Sequence, residues 1–254
     1  MTGDERSARA ADFVARYDEA IFDPRARAIY DGSDFYNVGD WSDGPSGPPS
    51  GLGEAAGRLV ARHLDSVAAP KAVRAVVLDI GCGLGAGAAM MAERYRQAMV
   101  VGLNFSLAQA RYAARRTPQA RFAVMNAVSL AVAADSVDLI HCIEAAFHFD
   151  ARDDFLGEIR RVLRPGGVAV LTDITFRRDY ARSVPTRNVW AGEAEYRARC
   201  ERAGLLVDSL VDITNCTLAP FYTYLKAHGR GAEAALHRRA QDAYYLVILR
   251  KPLS

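Results

Sequence analysis

From residue 70 onward, two hydrophobic periods alternate along the chain. Val76, Val77, Leu78 and Ile80 form an almost unbroken apolar run, the pattern of a strand over 75–80 that is buried on both faces. Small and apolar residues at helical spacing follow, predicting a helix over 86–96. The alternation then repeats: strand 98–103, helix 106–115 with Ser106 as its N-cap, strand 121–125, strand 137–143, and helix 151–163 with Asp150 as a candidate cap. Arg164-Pro165-Gly166-Gly167 reads as a turn into strand 168–173. Helix 193–203 ends at the C-cap glycine Gly204. Strand 206–212, a helical insertion over 214–239 and strand 244–250 complete the pattern. Strands alternating with helices predict an α/β protein with a largely parallel sheet, whose last two strands can pair antiparallel across the insertion.

The first 53 residues lack this regularity. Phe13, Val14, Tyr17 and Ile21 recur at helical spacing between Ala10 and Ile29, with Pro24 interrupting, and residues 1–9 are expected to fray. Tyr30 to Trp41 is dense in aromatics. Ser42 to Gly53 holds three prolines and four glycines, a loop signature. Residues 1–53 are therefore expected to form a helical lid in front of a core over 54–254, which opens with an amphipathic helix at 54–68 (Leu59, Val60, Leu64, Val67).

Composition narrows the function classes. The chain has 254 residues, half of them hydrophobic, enough for a substantial core. A net charge of +2 leaves no strong nucleic-acid footprint. The four cysteines (82, 142, 200, 216) show no CxxC spacing, which suits buried thiols in a reducing compartment. No apolar run reaches the length of a membrane span. These features lead us to expect a cytoplasmic protein with no metal site, no nucleic-acid partner and no membrane partner; they assign no oligomeric state.

The strand at 75–80 runs into Gly81-Cys82-Gly83-Leu84-Gly85-Ala86. This fits the dinucleotide fingerprint G-x-G-x-x-G/A, a weak signal alone. Ligands of such sheets bind at the carboxyl ends of the strands, and glycines let the backbone pass close to them. A pyrophosphate seeks helix N–H groups with no carboxylate beside them, yet Asp79 stands two residues before the first glycine. A buried carboxylate needs a donor or a cation. The chemistry thus favours an ammonium- or sulfonium-bearing ligand over NAD.

Val77-Leu78-Asp79-Ile80-Gly81-Cys82-Gly83-Leu84-Gly85 resembles the first motif of class I S-adenosylmethionine-dependent methyltransferases. The likeness covers roughly residues 75–175. Gly102-Leu103-Asn104-Phe105-Ser106-Leu107-Ala108-Gln109 resembles the second-strand motif of the branch holding the small-molecule natural-product methyltransferases and the cyclopropane fatty acid synthases. Glu144-Ala145-Ala146-Phe147-His148-Phe149 resembles that branch's segment after the fourth strand, and Tyr30 to Trp41 its N-terminal lid. The resemblance implies a Rossmann-like fold with a seven-stranded, mostly parallel sheet and an antiparallel last strand, and S-adenosylmethionine as cofactor. It also implies that Gly81, Cys82, Gly83 and, further on, Gly85 line the methionyl part, with Asp79 near its amino group. Asn104, Phe105 and Gln109 would serve the ribose, where most relatives carry an acid. Asn126 and Ala127 would serve the adenine, with Asn126 again standing for an acid. Glu144, Tyr36 and Trp41 would close the pocket.

His148 follows the fourth strand, where the cofactor's methyl group should point, and its ordinary pKa suits a general base. It is the candidate catalytic residue; the bland alternative is a histidine that only shapes the pocket. Glu144 could orient it. His141 reads as structural, and His63, His228 and His237 as surface residues. Asp173 borders the cleft or caps a turn. Phe221, Tyr222 and Tyr224 could lid the acceptor or pack on the sheet. Phe147 stands where cyclopropane synthases carry a glutamate, so carbonate-dependent cyclopropanation is not expected. The expected reaction is O-methylation of a small-molecule natural product. N- or C-methylation, a cofactor-retaining cyclase and, from another class, an NAD(P)-dependent oxidoreductase stand as alternatives.

Overall fold

The computed structural model describes residues 14–70, 72, 74–177 and 184–253; the expectations for residues 1–9 and Phe13 lie outside them. Seven strands form one sheet: β1 (Val76–Ile80), β2 (Met99–Asn104), β3 (Arg121–Val124), β4 (Val137–Ile143), β5 (Leu163–Phe176), β6 (Leu206–Asp212) and β7 (Gln241–Arg250). Their order is β3-β2-β1-β4-β5-β7-β6. β7 runs antiparallel to both neighbours and the other described pairings are parallel. The chain therefore reverses direction across the sheet at β1, between β2 and β4, and the crevice at the strands' carboxyl ends opens there.

The helices are α1 (residues 14–22), α2 (Pro24–Ile29), α3 (Leu52–Asp65), α4 (Ala86–Arg94), α5 (Leu107–Arg116), α6 (Arg152–Val162), α7 (Gly192–Arg202), α8 (Leu218–Ala227) and α9 (Gly231–Ala240). Two apolar clusters cover the sheet's two faces. One gathers Leu78, Ile140, Phe155, Ile159 and Trp190, and the other Leu59, Val77, Met91, Val170 and Leu225. Strands β1 and β4 contribute to both clusters, which accounts for their unbroken apolar runs.

Several boundaries differ from the expectations. α3 starts at Leu52, inside the glycine- and proline-rich stretch, because burial of Leu52, Ala55 and Ala56 overrides the local loop signal. The Arg164–Gly167 turn is absorbed into the start of β5, which slips register against β4 between Val137 and Leu139; Gly166 takes a positive φ of 78° there. Asp150 does not cap α6. The N-cap is Ala151, and the side-chain oxygen of Asn188, from a distant segment, accepts the Arg152 amide at 2.8 Å. Ser106 caps α5 as expected, accepting from the Gln109 amide.

Candidate active site

A cavity of about 540 Å³ opens at the carboxyl ends of β1, β2 and β4. Asp79, Gly81, Cys82, Gly83, Asn104, Phe105, Gln109, Asn126, Ala127, Glu144, His148 and Tyr36 all border it. Trp41 is not among the lining residues. It lies against Tyr224 with ring centroids 5.0 Å apart, and its indole N–H donates to the Val38 carbonyl at 2.8 Å. Phe221, Tyr222 and Tyr224 do not line the cavity either. Phe221 is buried in the core, Tyr222 donates to Gln241, and Tyr224 donates to the Ile29 carbonyl. The insertion thus braces the N-terminal segment from behind.

Each glycine of the turn after β1 has its own reason. Gly81 has a φ of +80°, and a Cβ there would lie 2.4 Å from the Ala145 methyl, so it is required by packing. Gly85 does not line the cavity; its hydrogen faces Ala113 on α5, which a Cβ would approach to 2.8 Å. Gly83 is different: its φ is +52° and a Cβ would meet nothing within 4 Å. The open space in front of the turn belongs to the cavity. Cys82 is buried with its sulfur against Gly102, and burial pushes its thiol well up, so it packs without nucleophilic character.

Asp79 is only 3 % exposed. One carboxylate oxygen accepts the Ala88 amide of α4, while Oδ2 is buried without a hydrogen-bond partner. Burial pushes its pKa up to about 7. An orphaned carboxylate oxygen at the wall of a cavity fits a cationic group and opposes a phosphate.

At the end of β2, amides form a chain. Asn104 Nδ2 donates to Gln109 Oε1 at 2.9 Å and to the Gly83 carbonyl at 3.3 Å, while Asn104 Oδ1 accepts the Ser106 amide at 3.2 Å. Gln109 Nε2 donates to Asp18 on α1 at 2.6 Å. Beyond β3, Asn126 closes a local turn by accepting the Val128 amide at 3.1 Å.

The end of β4 carries Glu144 and His148. Glu144 adopts a φ of +52°, a left-handed conformation costing a branched-Cβ-free L residue about 1–2 kcal/mol. Its amide donates to the Thr172 carbonyl at 2.8 Å. Its carboxylate accepts the Val38 amide and the Tyr244 hydroxyl, each at 2.9 Å. Burial pushes its pKa up to about 7. His148 ends the 3-10 turn Ala146–His148, with Tyr17 of α1 edge-on at 5.6 Å. Burial, and then the Arg152 guanidinium, push its pKa down to about 4. At pH 7 the ring is neutral, and a neutral imidazole has one acceptor nitrogen.

That turn is held from below. Asn188, fully buried, donates to the Phe147 and Phe149 carbonyls at 3.1 and 2.7 Å, bracketing His148. Arg152 donates to the Asn188 carbonyl at 2.7 Å and to Asp173 at 3.0 Å, and its guanidinium lies 4.2 Å from the Trp190 ring centre. Asp173 also accepts from Tyr196 at 2.9 Å. It does not border the cavity; it is the buried counter-charge of the support. Arg152, Asn188 and Asp18 carried no sequence signal, since each partner lies tens of residues away. His141, in β4, is structural as expected, 3.1 Å from the Tyr95 hydroxyl. His63 is not on the surface. It is fully buried on α3, its ring 5.0 Å from that of His141.

Residues 78–171 match the family described as Methyltransferase domain. The chain is 34 % identical over 220 residues to Methyltransferase GfsG of Streptomyces halstedii, covering 79 % of this chain and 75 % of that one. Its fold matches the geranyl diphosphate C-methyltransferase of Streptomyces coelicolor A3(2), solved with S-adenosyl-L-homocysteine, at a TM-score of 0.76 with 18 % identity, covering 95 % of this chain and 98 % of that one. It also matches the 4+2 cyclase SpnF at a TM-score of 0.74 with 21 % identity, covering 93 % and 94 %. With the mixed seven-stranded sheet, the glycine turn and its orphaned carboxylate, these matches show that the chain belongs to the class I S-adenosylmethionine-dependent methyltransferases that act on small molecules.

Proposed function

We propose that the protein O-methylates a hydroxyl group of a small-molecule natural product, with His148 as the general base. The observation that carries this reading is a neutral imidazole on a braced turn at the end of β4, at the wall of the cavity. Bound S-adenosylmethionine supplies an electrophilic methyl group on a sulfonium. Asp79 would receive its amino group, the backbone at Gly81 and Gly83 its methionyl chain, Asn104 and Gln109 its ribose, and Asn126 with Ala127 its adenine. As a hydroxyl attacks, its oxygen becomes strongly acidic, so an imidazole of lowered basicity still suffices to take the proton. Tyr17, Tyr36 and Glu144 would exclude water above it, leaving much of the acceleration to alignment. The natural-product and O-methyl assignments lean on the likeness, 30 % identity over 146 residues, to the Erythromycin 3''-O-methyltransferase of Saccharopolyspora erythraea.

The test is His148→Gln. We expect adenosylhomocysteine to bind unchanged while methyl transfer to a hydroxyl acceptor falls about 10²–10⁴-fold, the usual worth of a positioned base. Full turnover in the variant would contradict the base assignment and favour an amine that enters neutral or an activated carbon. A cyclase on this fold, like the neighbour named above, would transform its substrate without releasing adenosylhomocysteine.

A further inference from the structure

Glu144, at the end of β4, is a second carboxylate at the cavity wall, and its two oxygens are used unequally. Oε2 accepts both the Val38 amide and the Tyr244 hydroxyl, each at 2.9 Å. Oε1 accepts no hydrogen bond and is not sealed in the core. Among the described residues no cationic side chain pairs with Glu144, and the Asp173 carboxylate acts on it with like sign. Arg16 also borders the cavity but forms no ion pair with it. The rest of this wall is aromatic. Tyr17 and Tyr36 border the cavity with ring centres 5.7 Å apart, and Tyr17 stands edge-on to His148 at 5.6 Å. Tyrosine ring faces attract cations, and a carboxylate taken out of water without a counter-charge is costly.

We propose that Glu144 is a specificity-determining residue that holds a protonated amine of the acceptor, with Oε1 accepting its N–H and the Tyr17 and Tyr36 rings beside the charge. The substrate class is then a hydroxylated small molecule that also carries a basic nitrogen. The inference rests on the reading that His148 faces the acceptor's hydroxyl. It adds what that reading lacks, a reason for one group of the acceptor to be methylated and not another. Pairing with a carboxylate favours the charged form of an amine, and an ammonium nitrogen has no lone pair with which to attack a sulfonium methyl. The nitrogen on Glu144 is therefore silent, while the hydroxyl presented to His148 is the nucleophile. Because Oε2 holds the Val38 amide, the amine docks on the side chain that also fastens the lid.

The test is calorimetry on the full chain saturated with adenosylhomocysteine, titrated with 2-phenylethylamine and with its neutral counterpart 2-phenylethanol, for wild type, Glu144→Gln, Tyr36→Leu and His148→Gln. The measurement is made at pH 8, above the Glu144 value of about 7 and below that of an alkylamine. In Glu144→Gln the amide oxygen can still accept from Val38 and Tyr244, so the charge is lost while the contacts are kept, and thermal melts check that the variants fold. Wild type should bind the amine at least about tenfold more tightly than the alcohol. Glu144→Gln should lose that preference and bind adenosylhomocysteine unchanged, and Tyr36→Leu should reduce the preference about 2–5-fold. No preference for the amine in wild type, or a full preference in Glu144→Gln, would overturn the proposal. Adenosylhomocysteine bound about tenfold more weakly by Glu144→Gln would assign the carboxylate to the cofactor's own ammonium group and overturn it as well. His148→Gln should keep the preference, so full turnover in that variant would remove the hydroxyl reading while leaving the amine site in place.

Discussion

The β1 strand and the N-terminal segment border the same cavity, but they are held there by a different balance of contacts. Val77, Leu78 and Ile80 are buried to 2 % exposure or less between two apolar layers, and burying such a side chain is worth about 1.5–3 kcal/mol. Residues 14–51 bury only a few apolar anchors, Ile21 and Val38 among them, and add a set of polar contacts. Arg27, Tyr112 and Arg116 converge on Asp34, Glu144 holds the Val38 amide, and Asp18 meets Ser106 and Gln109. The Arg116–Asp34 pair has its guanidinium largely exposed, where an ion pair is worth about 0.2–1 kcal/mol. The difference teaches where each kind of chemistry sits. Asp79 is fixed by a layer that cannot yield without unfolding, whereas the surface facing it is held by bonds that can exchange with solvent or ligand.

The largest break is expected in the core. Arg152→Leu would strip Asp173 of its buried counter-charge. Removing one partner of such a pair costs about 3–5 kcal/mol, which urea denaturation measures. It would also loosen the turn bearing His148, so the variant should lose methyl transfer even where it remains folded.

A second, smaller effect separates the regions by pH. Burial holds the His63 pKa well below its usual value and that of His141 at about 3. In the unfolded chain both take up protons below about pH 6.5. For these two groups the unfolded state then binds more protons than the native one, so their contribution to stability is lost as pH falls from about 6.5, against the opposite contribution of the raised Asp79 and Glu144 carboxyls. At pH 5 one such group accounts for about 2 kcal/mol. His63→Leu should therefore flatten the acid limb of the urea-midpoint curve. Asp34→Asn, in the lid, should leave the limb between about pH 6.5 and 5 unchanged, because a carboxyl held below its usual range loses its contribution only at lower pH.

The smallest effect on stability is expected from that lid substitution. Asp34→Asn should shift the denaturation midpoint by less than about 1 kcal/mol, yet raise the rate of trypsin cleavage in residues 14–51. A loss of several kcal/mol would show that the segment belongs to the core's cooperative unit and would erase the contrast.

The same contrast explains what the sequence could disclose. Strand β1, the glycine turn and Ser106 as a cap were legible because apolar period, glycine and capping chemistry are local properties. So was the cationic character of the ligand, since Asp79 lies two residues from the turn. Trp41 was misplaced because an aromatic in a loop has no period to fix its direction; it turned to α8, away from the cavity. Asp150 and Asp173 shared the difficulty that an acid at an element's end looks the same whether it caps, faces a cleft or pairs below it. His63 was misread as exposed, since histidine is polar by composition although α3 buries that face. Asp18 and Asn188 act across 91 and 36–41 residues of chain, distances at which no spacing rule operates.

The proposed role of Asp79 in selecting a cationic ligand is tested most directly by the affinity for adenosylhomocysteine from pH 6 to 8, in wild type and in Asp79→Asn. Burial places the wild-type carboxyl at about 7. Below that value the proton competes with the ligand's ammonium group, so affinity should rise with pH and level off above it. Asp79→Asn should bind about 10–100-fold more weakly at pH 8, show a flatter pH profile, and be at least as stable, because an unpaired buried charge has been removed. Equal affinity at pH 8, or the same pH dependence in the variant, would contradict the account.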